Sequence, residues 1–304
     1  MIPLFLLGAV FLTTTSLVQA LPAHPSVEAR QSVIVLSPVQ IDYFTPYTWY
    51  ASAGYCNPSQ TLVWDCGLNC EANPDFKPVA SGGDGSDVQY WYVGYDRTFN
   101  SVVVSHQGTN ASSILSILTD IDIILEPLDQ SLFPGMSSDV LVHSGFANQQ
   151  AKSASAILSA VQRTMSEYGV NHITTVGHSL GAGAALSLLD FLYLPLHLPD
   201  TTYTYIGYGL PRVGNQAFAD YVDDQISSVT HINNKEDPIP ILPSTSLGYM
   251  QPHGEIHIED SGDWVACSGD ENPSSQCIDG DVPTLLQSNF SDHVGPYNGI
   301  LMGC

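Results

Sequence analysis

Basic residues are scarce in this sequence: 7 Lys and Arg stand against 30 Asp and Glu in 304 residues, a formal net charge of −23. Nucleic-acid binding depends on Lys and Arg that displace counterions from phosphates, so this balance excludes nucleic acid as a partner. An anionic membrane surface is disfavoured for the same reason. Only 12% of residues are charged while 44% are hydrophobic, which provides apolar material for a packed core and excludes wholesale disorder.

Long hydrophobic runs are also missing from the body of the chain, where no stretch approaches the roughly 20 residues that span a bilayer. We therefore expect no integral membrane segment in the mature chain. At the N-terminus, residues 1–12 are apolar and precede a polar stretch and small residues that end at Ala20. This order predicts a secretory signal peptide over residues 1–20 and an extracellular protein. Residues 21–30 are a candidate pro-segment, which leaves residues 31–304 as the folded domain.

Six cysteines lie beyond the predicted signal peptide: Cys56, Cys66, Cys70, Cys267, Cys277 and Cys304. An even number in an exported chain predicts three disulfides, although 15 pairings are open from the count alone. Proximity favours Cys66–Cys70 and Cys267–Cys277, each of which closes a short loop, and leaves Cys56 and Cys304. A zinc site is the alternative, but neither a Cys-x-x-Cys spacing nor clustered histidines accompany these positions, so we expect no metal.

Strand-like and helix-like patterns alternate along the chain. The segment Ser37-Pro38-Val39-Gln40 has the residue order that begins a helix. Residues 87–104 are typical of two strands around a turn, and a helical spacing of apolar residues follows His143 and stops at Gly169. Beyond it come a strand at 173–176, a small-residue helix up to about Tyr193, a strand at 203–208, a helix around Phe218 and a strand at 229–232. This alternation predicts a single α/β domain with a mostly parallel central sheet flanked by helices.

The most informative stretch is Gly177-His178-Ser179-Leu180-Gly181, a Gly-x-Ser-x-Gly pattern. The pattern alone is weak, because chance produces it readily in chains rich in Gly and Ser. Here it follows a β-branched run and precedes a helix rich in Ala and Gly, which is where the nucleophile elbow of a hydrolase lies. Such a turn holds its serine in a strained backbone conformation. We predict Ser179 as a catalytic nucleophile; the alternative is an ordinary glycine-rich start of a helix.

A serine hydroxyl needs a base that removes its proton and an acid that orients the base. In the chain order Ser, acid, His, the candidate acid is Asp237, which follows a predicted strand and precedes Pro238. The alternative for this residue is a turn-forming Asp. The candidate base is His293, in a polar loop near the C-terminus. His253 is its main rival, and His231 drops out because it precedes the acid.

Hydrolysis of an ester also needs N–H donors aimed at the developing oxyanion. The backbone N–H of Leu180, directly after the nucleophile, is one candidate. Residues 102–109 are typical of a strand that runs into a glycine turn, and they place Thr109 to provide a second N–H and its hydroxyl. A plain hairpin turn is the alternative for this segment.

Six segments resemble, in the same order, those of the fungal lipases and feruloyl esterases of the class 3 lipase group: HQGT at 106–109, HSGF at 143–146, TVGHSLGAG at 175–183, YGLPRVGNQAFA at 208–219, EDPIPILP at 236–243 and DHVGPY at 292–297. Together they cover nearly all of the mature chain. The resemblance implies an α/β-hydrolase-like fold and a Cys56–Cys304 bridge beside the two short ones. It also implies site roles, namely a triad of Ser179, Asp237 and His293 and an oxyanion hole at Thr109 and Leu180.

This sequence departs from the group at two places. Many members have Arg where this chain has His106-Gln107, and Asn298 stands where Phe is usual. Neither position carries a catalytic atom, but both make it less safe to transfer a substrate from relatives. The segment PRVGN, which includes Arg212, we interpret as structural.

Residues 110–128 occupy the place of the lid in this group. Five aliphatic side chains are spaced to form one apolar helix face: Ile114, Leu115, Ile117, Leu118 and Ile121. Such a lid covers the serine in water and turns its apolar face onto an oil surface when it opens. We interpret residues 121–125 as a buried sheet strand. The apolar lid favours a triacylglycerol lipase that acts on neutral lipid at an oil–water interface over a feruloyl or other soluble-substrate esterase.

A protein of another class, a non-catalytic binding protein on a hydrolase scaffold, would be expected to have lost a triad or oxyanion position, and none is lost. A serine triad transfers an acyl group unaided, so no cofactor is expected. Two N-x-Ser sequons occur: Asn110 adjoins Thr109, where a glycan would crowd the site, and Asn289 is the glycosylation candidate. We expect a secreted monomer.

Overall fold

The computed structural model of the protein describes residues 32–109, 124–179, 184–225 and 228–304. Several predicted features lie outside these residues: the signal peptide, the candidate pro-segment, the five lid residues, the sequon at Asn110 and the oxyanion candidate Leu180. In the part of the chain that is described, no helix has the length and apolar character needed to cross a bilayer.

The strands of the described residues form two sheets. In chain order they are β1 (Val33–Val35), β2 (Phe76–Gly82), β3 (Trp91–Asp96), β4 (Ser101–His106), β5 (Leu125–Pro127), β6 (Leu141–His143), β7 (His172–His178), β8 (Thr202–Tyr208), β9 (Gly214–Asn215), β10 (Val229–Asn234), β11 (Tyr249–Met250), β12 (Glu255–Ile258) and β13 (Trp264–Cys267). The larger sheet has the order β1-β13-β12-β10-β8-β7-β4-β3-β2, and the smaller one the order β11-β9-β6-β5.

The centre of the larger sheet is parallel. Strands β4, β7, β8, β10 and β12 pair in parallel with their neighbours in this run. The strands added at both ends pair antiparallel. The predicted parallel centre is confirmed, and the antiparallel edges are a feature that the sequence pattern did not indicate.

Helices flank this sheet. They are α1 (Pro38–Ala53), α2 (Pro58–Thr61), α3 (Leu68–Glu71), α4 (Ser144–Tyr168), α5 (Ala184–His197), α6 (Gln216–Gln225) and α7 (Ile278–Asp281), with short 3-10 helices at Thr245–Leu247, Leu285–Gln287 and Phe290–Val294. Helix α1 begins where predicted, and the backbone N–H of Ser37 donates to the Gln40 side chain at 2.9 Å. Helix α4 ends at Gly169, whose left-handed conformation stops the helix.

Strand β4 shows how the core is divided between two faces of the sheet. Val102 and Val104 pack in a cluster that includes residues of α4 and α5, while Val103 packs in a second cluster that includes α1. Successive side chains of a strand point to opposite faces, so a strand covered on both sides is buried throughout. Every residue of β4 is buried. This rigid strand holds the loop that follows His106.

The strand predicted at residues 121–125 is not where the aliphatic run suggested. Of that range, residues 121–123 lie outside the described residues, and β5 spans Leu125–Pro127. Strand β5 pairs with β6 in the smaller sheet and is half-buried to exposed, and Ile124 is exposed and outside the strand, so the prediction of a buried strand is wrong at residues 124 and 125. The physical reason is its position: an edge strand has a neighbour on one side only.

Three disulfides link the chain. The bonds join Cys66 to Cys70, Cys267 to Cys277, and Cys56, just after α1, to the last residue, Cys304. The last of these spans 248 residues. In the chain-entropy view, closing so long a loop stabilises the fold by about 5 kcal/mol. The bridge fixes the C-terminal segment, which carries His293, against the N-terminal helix.

Candidate active site

Ser179 lies at a strained turn directly after β7. Its backbone has φ +75°, a left-handed conformation that non-glycine residues rarely adopt. Helix α5 begins at Ala184, and residues 180–183 between them lie outside the described residues. A buried parallel strand thus carries the serine to the sheet's carboxyl edge, where ligands of α/β proteins bind.

The structure brings the three predicted triad side chains together. Nε2 of His293 lies 2.6 Å from Oγ of Ser179, and Nδ1 of His293 lies 2.8 Å from Oδ2 of Asp237. The second oxygen of Asp237 accepts the backbone N–H of Ile239 at 2.9 Å, which fixes the carboxylate. All three side chains are buried. The geometry is that of a nucleophile, a base and an orienting acid.

A glycine lets the backbone approach the His293–Asp237 pair. Gly209, on the loop after β8, has φ +54°, and a Cβ there would lie 2.9 Å from Cε1 of His293 and 3.0 Å from Oδ2 of Asp237. A larger residue would displace the histidine or the carboxylate. The segment YGLPR therefore contributes to the site through the absence of a side chain.

The rival histidines lie elsewhere. Nδ1 of His253 forms an ion pair with Asp223 at 2.5 Å, and this hydrogen bond raises the pKa of His253. His231 is buried, with Nε2 donating to the carbonyl oxygen of Pro252 at 3.1 Å. Among the described residues neither of these histidines is hydrogen-bonded to Ser179, whereas His293 contacts both the serine and Asp237.

The loop proposed for the oxyanion hole packs against the elbow. In the sheet, His106 at the end of β4 is in register with Gly177 of β7. A Cβ on Gly108 would come within 2.5 Å of the carbonyl oxygen of His178 and 2.0 Å of the Tyr55 hydroxyl. Glycine is required for this close approach. Thr109 directly follows this close contact in the chain and is half-buried.

His106, one of the departures from the family pattern, belongs to a buried network. Its Nε2 lies 2.7 Å from Oδ2 of Asp190 on α5, and the other oxygen of Asp190 accepts from Gln150 on α4 at 2.9 Å. The network joins the strand before the oxyanion loop to the two helices beneath the elbow. Sequence patterns did not indicate Asp190 or Gln150, because these contacts join residues 84 and 40 positions apart.

Arg212 is the centre of a second buried polar cluster. Its Nε donates to Glu271 at 2.8 Å, and Nη2 donates to Glu271 at 2.6 Å and to Asp279 at 2.5 Å. Nη1 donates to the carbonyl oxygens of Ile241 and Pro243. The guanidinium thus joins the loop after β10 to the segment that carries the Cys267–Cys277 bridge. These contacts agree with the structural role predicted for PRVGN.

The two carboxyl groups of this cluster have very different pKa values. Burial and the hydrogen bond with Glu271 raise the pKa of Asp279 to about 8. Burial also opposes ionisation of Glu271, but the hydrogen bonds from Arg212 outweigh it and lower the pKa of Glu271 to about 2. One carboxylate therefore balances one guanidinium, and Asp279 keeps its proton at neutral pH.

One group of metal-ligand residue types lies together among the described residues: Glu255, Cys267 and Cys277. The two sulfurs are bonded to each other, so they offer no thiolate to a metal. Glu255 instead accepts the backbone N–H of Ile278 at 2.7 Å. This group is a structural tie between β12 and α7.

Two asparagines singled out in the sequence lie among the described residues. Asn289 is exposed and its side chain accepts the backbone N–H of Ser291 at 3.2 Å. Asn298, where the family usually has Phe, donates to the Thr45 hydroxyl at 2.9 Å and has φ +49°. Both lie on the C-terminal segment near His293.

Comparisons of sequence agree on one family. The profile described as lipase (class 3) matches residues 103–247. The chain is similar to a secreted mono- and diacylglycerol lipase of Malassezia globosa, with 30% identity over 293 residues that cover 95% of this chain and 91% of the relative. It is also similar to a secreted mono- and diacylglycerol lipase of Gibberella zeae, with 34% identity over 229 residues, 73% of this chain and 70% of the relative.

Comparisons of structure agree on the fold. A lipase from Yarrowia lipolytica superposes with a TM-score of 0.77 at 22% identity and covers 90% of this chain and 98% of the neighbour. Lipase II from Rhizopus niveus superposes with a TM-score of 0.75 at 25% identity and covers 89% and 99%. The central sheet with flanking helices is thus the α/β-hydrolase fold that the motifs implied.

Proposed function

Because this chain belongs to the class 3 lipase family, we propose that Ser179, His293 and Asp237 hydrolyse the ester bonds of neutral acylglycerols through an acyl-enzyme. The protein is a secreted carboxylic ester hydrolase of the lipase type. The observation that carries the proposed roles is the unbroken series of contacts from Asp237 through His293 to Ser179, at 2.8 and 2.6 Å.

The reaction follows from the acid–base properties of these groups. His293 accepts the proton of Ser179 as the hydroxyl oxygen attacks the ester carbonyl, and then donates it to the departing alcohol. Asp237 accepts the Nδ1 hydrogen and stabilises the imidazolium. Backbone N–H groups of Thr109 and Leu180 donate to the oxyanion. A water that His293 deprotonates then releases the fatty acid from Ser179.

Neutral acylglycerols are the substrate class that the charge and the relatives support. The matched proteins of Malassezia globosa and Gibberella zeae are mono- and diacylglycerol lipases, and one fold neighbour is a triacylglycerol lipase. A net charge of −23 repels anionic surfaces and anionic substrates. Hydrolysis of soluble esters such as ferulates is the alternative, and the apolar composition of the predicted lid argues against it.

The segment that precedes His293 in the sequence supports action at a lipid–water interface. Leu285, Leu286 and Phe290 precede this histidine by at most eight residues and are exposed, Leu286 to 96%. Contact with lipid would recover about 1.5–3 kcal/mol for each large apolar side chain removed from water. Exposed apolar groups of this kind mark interaction surfaces when they cluster. They add to the apolar face predicted for the lid.

The test compares emulsified tri-, di- and monoacylglycerols of one acyl chain with dissolved tributyrin and with methyl ferulate. We expect hydrolysis of acylglycerols with a rate increase above the solubility limit, and at least a 1,000-fold loss in a folded Ser179→Ala variant, roughly the effect of losing a triad member. Ile114→Ser with Leu118→Ser should impair the emulsion rate and spare dissolved tributyrin. Val39→Ser, at an exposed aliphatic on α1, is the matched control.

Each result of this hydrolysis test supports or contradicts one part of the proposed function. Activity retained by Ser179→Ala would show that Ser179 is not the nucleophile and would overturn the proposal. Equal losses on the emulsified acylglycerols and on dissolved tributyrin in the lid variant, or a preference for methyl ferulate, would favour a soluble-substrate esterase. The relative rates on the three acylglycerols decide between a triacylglycerol lipase and a mono- and diacylglycerol lipase.

The processing of the chain belongs to the same proposal. Residues 1–20 act as the signal peptide, residues 21–30 are removed as a pro-segment, and residues 31–304 form the catalytic domain. The mature enzyme acts as a monomer and is glycosylated at Asn289, which is exposed and lies in an Asn-x-Ser sequon.

A further inference from the structure

His178, the residue directly before the nucleophile, is buried and contacts two groups that the reaction above leaves unused. On one side, the Tyr55 hydroxyl lies 2.6 Å from its Nδ1. On the other side, its Nε2 lies 2.7 Å from the backbone carbonyl oxygen of His293. The imidazole therefore connects the segment after α1, the elbow and the loop of the base.

The partners determine where the hydrogens are. A carbonyl oxygen can only accept, so Nε2 of His178 carries a hydrogen and donates it to His293. Burial and the nearby His293 lower the pKa of His178, so its ring is neutral and Nδ1 has no hydrogen. Nδ1 then accepts from the Tyr55 hydroxyl, which stays protonated because burial raises its pKa. The result is a directed chain of two hydrogen bonds from Tyr55 to His293.

The backbone of the base is held from two directions. The carbonyl oxygen of His293 also accepts the hydroxyl of Tyr297 at 3.2 Å. The rings of His178 and His293 lie 4.6 Å apart between centroids. The neutral state of the His178 ring matters, because a positive charge on it at this distance would oppose the imidazolium that His293 becomes during the reaction.

We propose that His178 is a positioning residue, which ties the backbone of His293 to the nucleophile elbow and, in the tautomer imposed by Tyr55, keeps the base aligned with Ser179. This inference rests on the proposed triad. It concerns a side chain that touches no reacting atom, so its effect passes through the placement of His293.

Two substitutions at this position separate alignment from space filling. His178→Gln can place an amide N–H where Nε2 lies and so keeps the donor to His293. His178→Asn can place an amide oxygen where Nδ1 lies, which keeps the acceptor for Tyr55 but loses the donor. Both variants remove the ring, so a purely structural role predicts similar behaviour.

We expect the two variants to differ in kcat on dissolved tributyrin. His178→Asn should lose about 100-fold, the effect of displacing a catalytic group by about 1 Å, with KM unchanged because the ester pocket is not touched. His178→Gln should stay within about fivefold of wild type, since it loses only the hydrogen bond from Tyr55. The thermal midpoints of the two variants should agree.

Tyr55→Phe gives a second measurement if a His178 variant fails to fold. It removes the donor that selects the tautomer and also a hydrogen bond between the Tyr55 hydroxyl and Ser179, and we expect a loss of kcat of about tenfold from the two together. The matched control is Tyr92→Phe, which removes another buried hydroxyl, one that donates to the carbonyl oxygen of Tyr50 at 2.7 Å. This control should keep the wild-type kcat.

Equal kcat values for His178→Gln and His178→Asn, or a Tyr55→Phe rate equal to that of Tyr92→Phe, would overturn the inference. These results are distinct from a failure of the proposed function. If the triad is wrong, Ser179→Ala and His293→Ala both keep activity. If only the positioning role is wrong, wild type is active and Ser179→Ala is not.

Discussion

The proposed triad and the Arg212 cluster are both buried, polar and built on loops that follow central parallel strands. Gly209 and Arg212 lie on the loop after β8, three residues apart, and Asp237 lies on the loop after β10. In the triad the groups that meet are a hydroxyl, an imidazole and a carboxylate. In the cluster a guanidinium meets two carboxyl groups and two carbonyl oxygens.

The difference lies in what each cluster can do with a proton. A guanidinium stays charged at any physiological pH, and all three guanidinium nitrogens of Arg212 donate hydrogen bonds to fixed acceptors. Such a network holds loops together, and its one titrating proton, on Asp279, is hydrogen-bonded to Glu271 within the cluster. Between Ser179 and His293 the proton can move, because a neutral imidazole nitrogen can accept a hydroxyl hydrogen. Burial alone therefore does not indicate function; what distinguishes the two clusters is a hydroxyl hydrogen-bonded to an imidazole, which can act as a nucleophile.

The largest expected effect breaks the triad without touching the fold. His293→Ala should lose activity as completely as Ser179→Ala, by at least about 1,000-fold, and the double variant should lose little more, because triad members act as a unit. His253→Ala, which removes the partner of Asp223, is the control and should keep the wild-type rate. Steady-state kinetics on dissolved tributyrin measure this. An inactive His253→Ala beside an active His293→Ala would reverse the assignment of the base.

The next effect breaks the Arg212 cluster and should appear in stability. Arg212→Met leaves the Glu271 carboxylate buried without its cation, which costs about 3–5 kcal/mol in the free energy of unfolding. We expect the thermal midpoint to fall by roughly 10 °C, while the folded fraction keeps its kcat. Lys152→Met, which removes an exposed ion pair with Asp87, is the control and should change stability by at most about 1 kcal/mol.

Calorimetry and kinetics on the same samples separate the two regions. A loss of kcat in folded Arg212→Met would show that this cluster serves the reaction and not only the fold. A midpoint that matches that of Lys152→Met would mean that the buried charge is compensated in some other way.

A third expected effect concerns the pH dependence of stability. The pKa of Asp279 is raised from 3.8 to about 8 in the folded state, so between these values the folded protein keeps a proton that the unfolded chain has released. The free energy of unfolding that this group contributes therefore falls as pH rises from about 4 to about 8. Asp279→Asn cannot ionise, and its thermal midpoint should fall less than that of wild type over this range. Parallel pH profiles for the two proteins would contradict the assignment.

Several features of the fold followed from local patterns. The β-branched run before Gly177 and the small residues after it predicted a strand, a turn and a helix, and the structure has β7, the strained Ser179 and α5 in that order. The helix after His143 and its stop at Gly169 were also predicted. The buried strand predicted at residues 121–125 was wrong at residues 124 and 125, which the structure describes, because aliphatic composition alone does not distinguish an edge strand from a central one.

The candidate site was predicted in part. Chain order selected Ser179, Asp237 and His293, and these three meet in the structure. The same reasoning left His253 as a rival, since a sequence does not show that this imidazole is paired with Asp223. Neither Tyr55 nor the contact of His178 with the base was predicted, because they join residues 123 and 115 positions apart.

By itself, the sequence determined the elements whose cause is local: the alternation of strands and helices, the glycine turn around the serine, and a charge balance that excludes phosphate-rich partners. The tertiary structure decided which distant groups share a site. It gave Cys56 its partner 248 residues away, enclosed Arg212 among two acids, and placed the His178 imidazole between Tyr55 and the base. The physical reason is range: backbone preferences act over a few residues, whereas hydrogen bonds and ion pairs form wherever the packed sheet brings their atoms within about 3 Å.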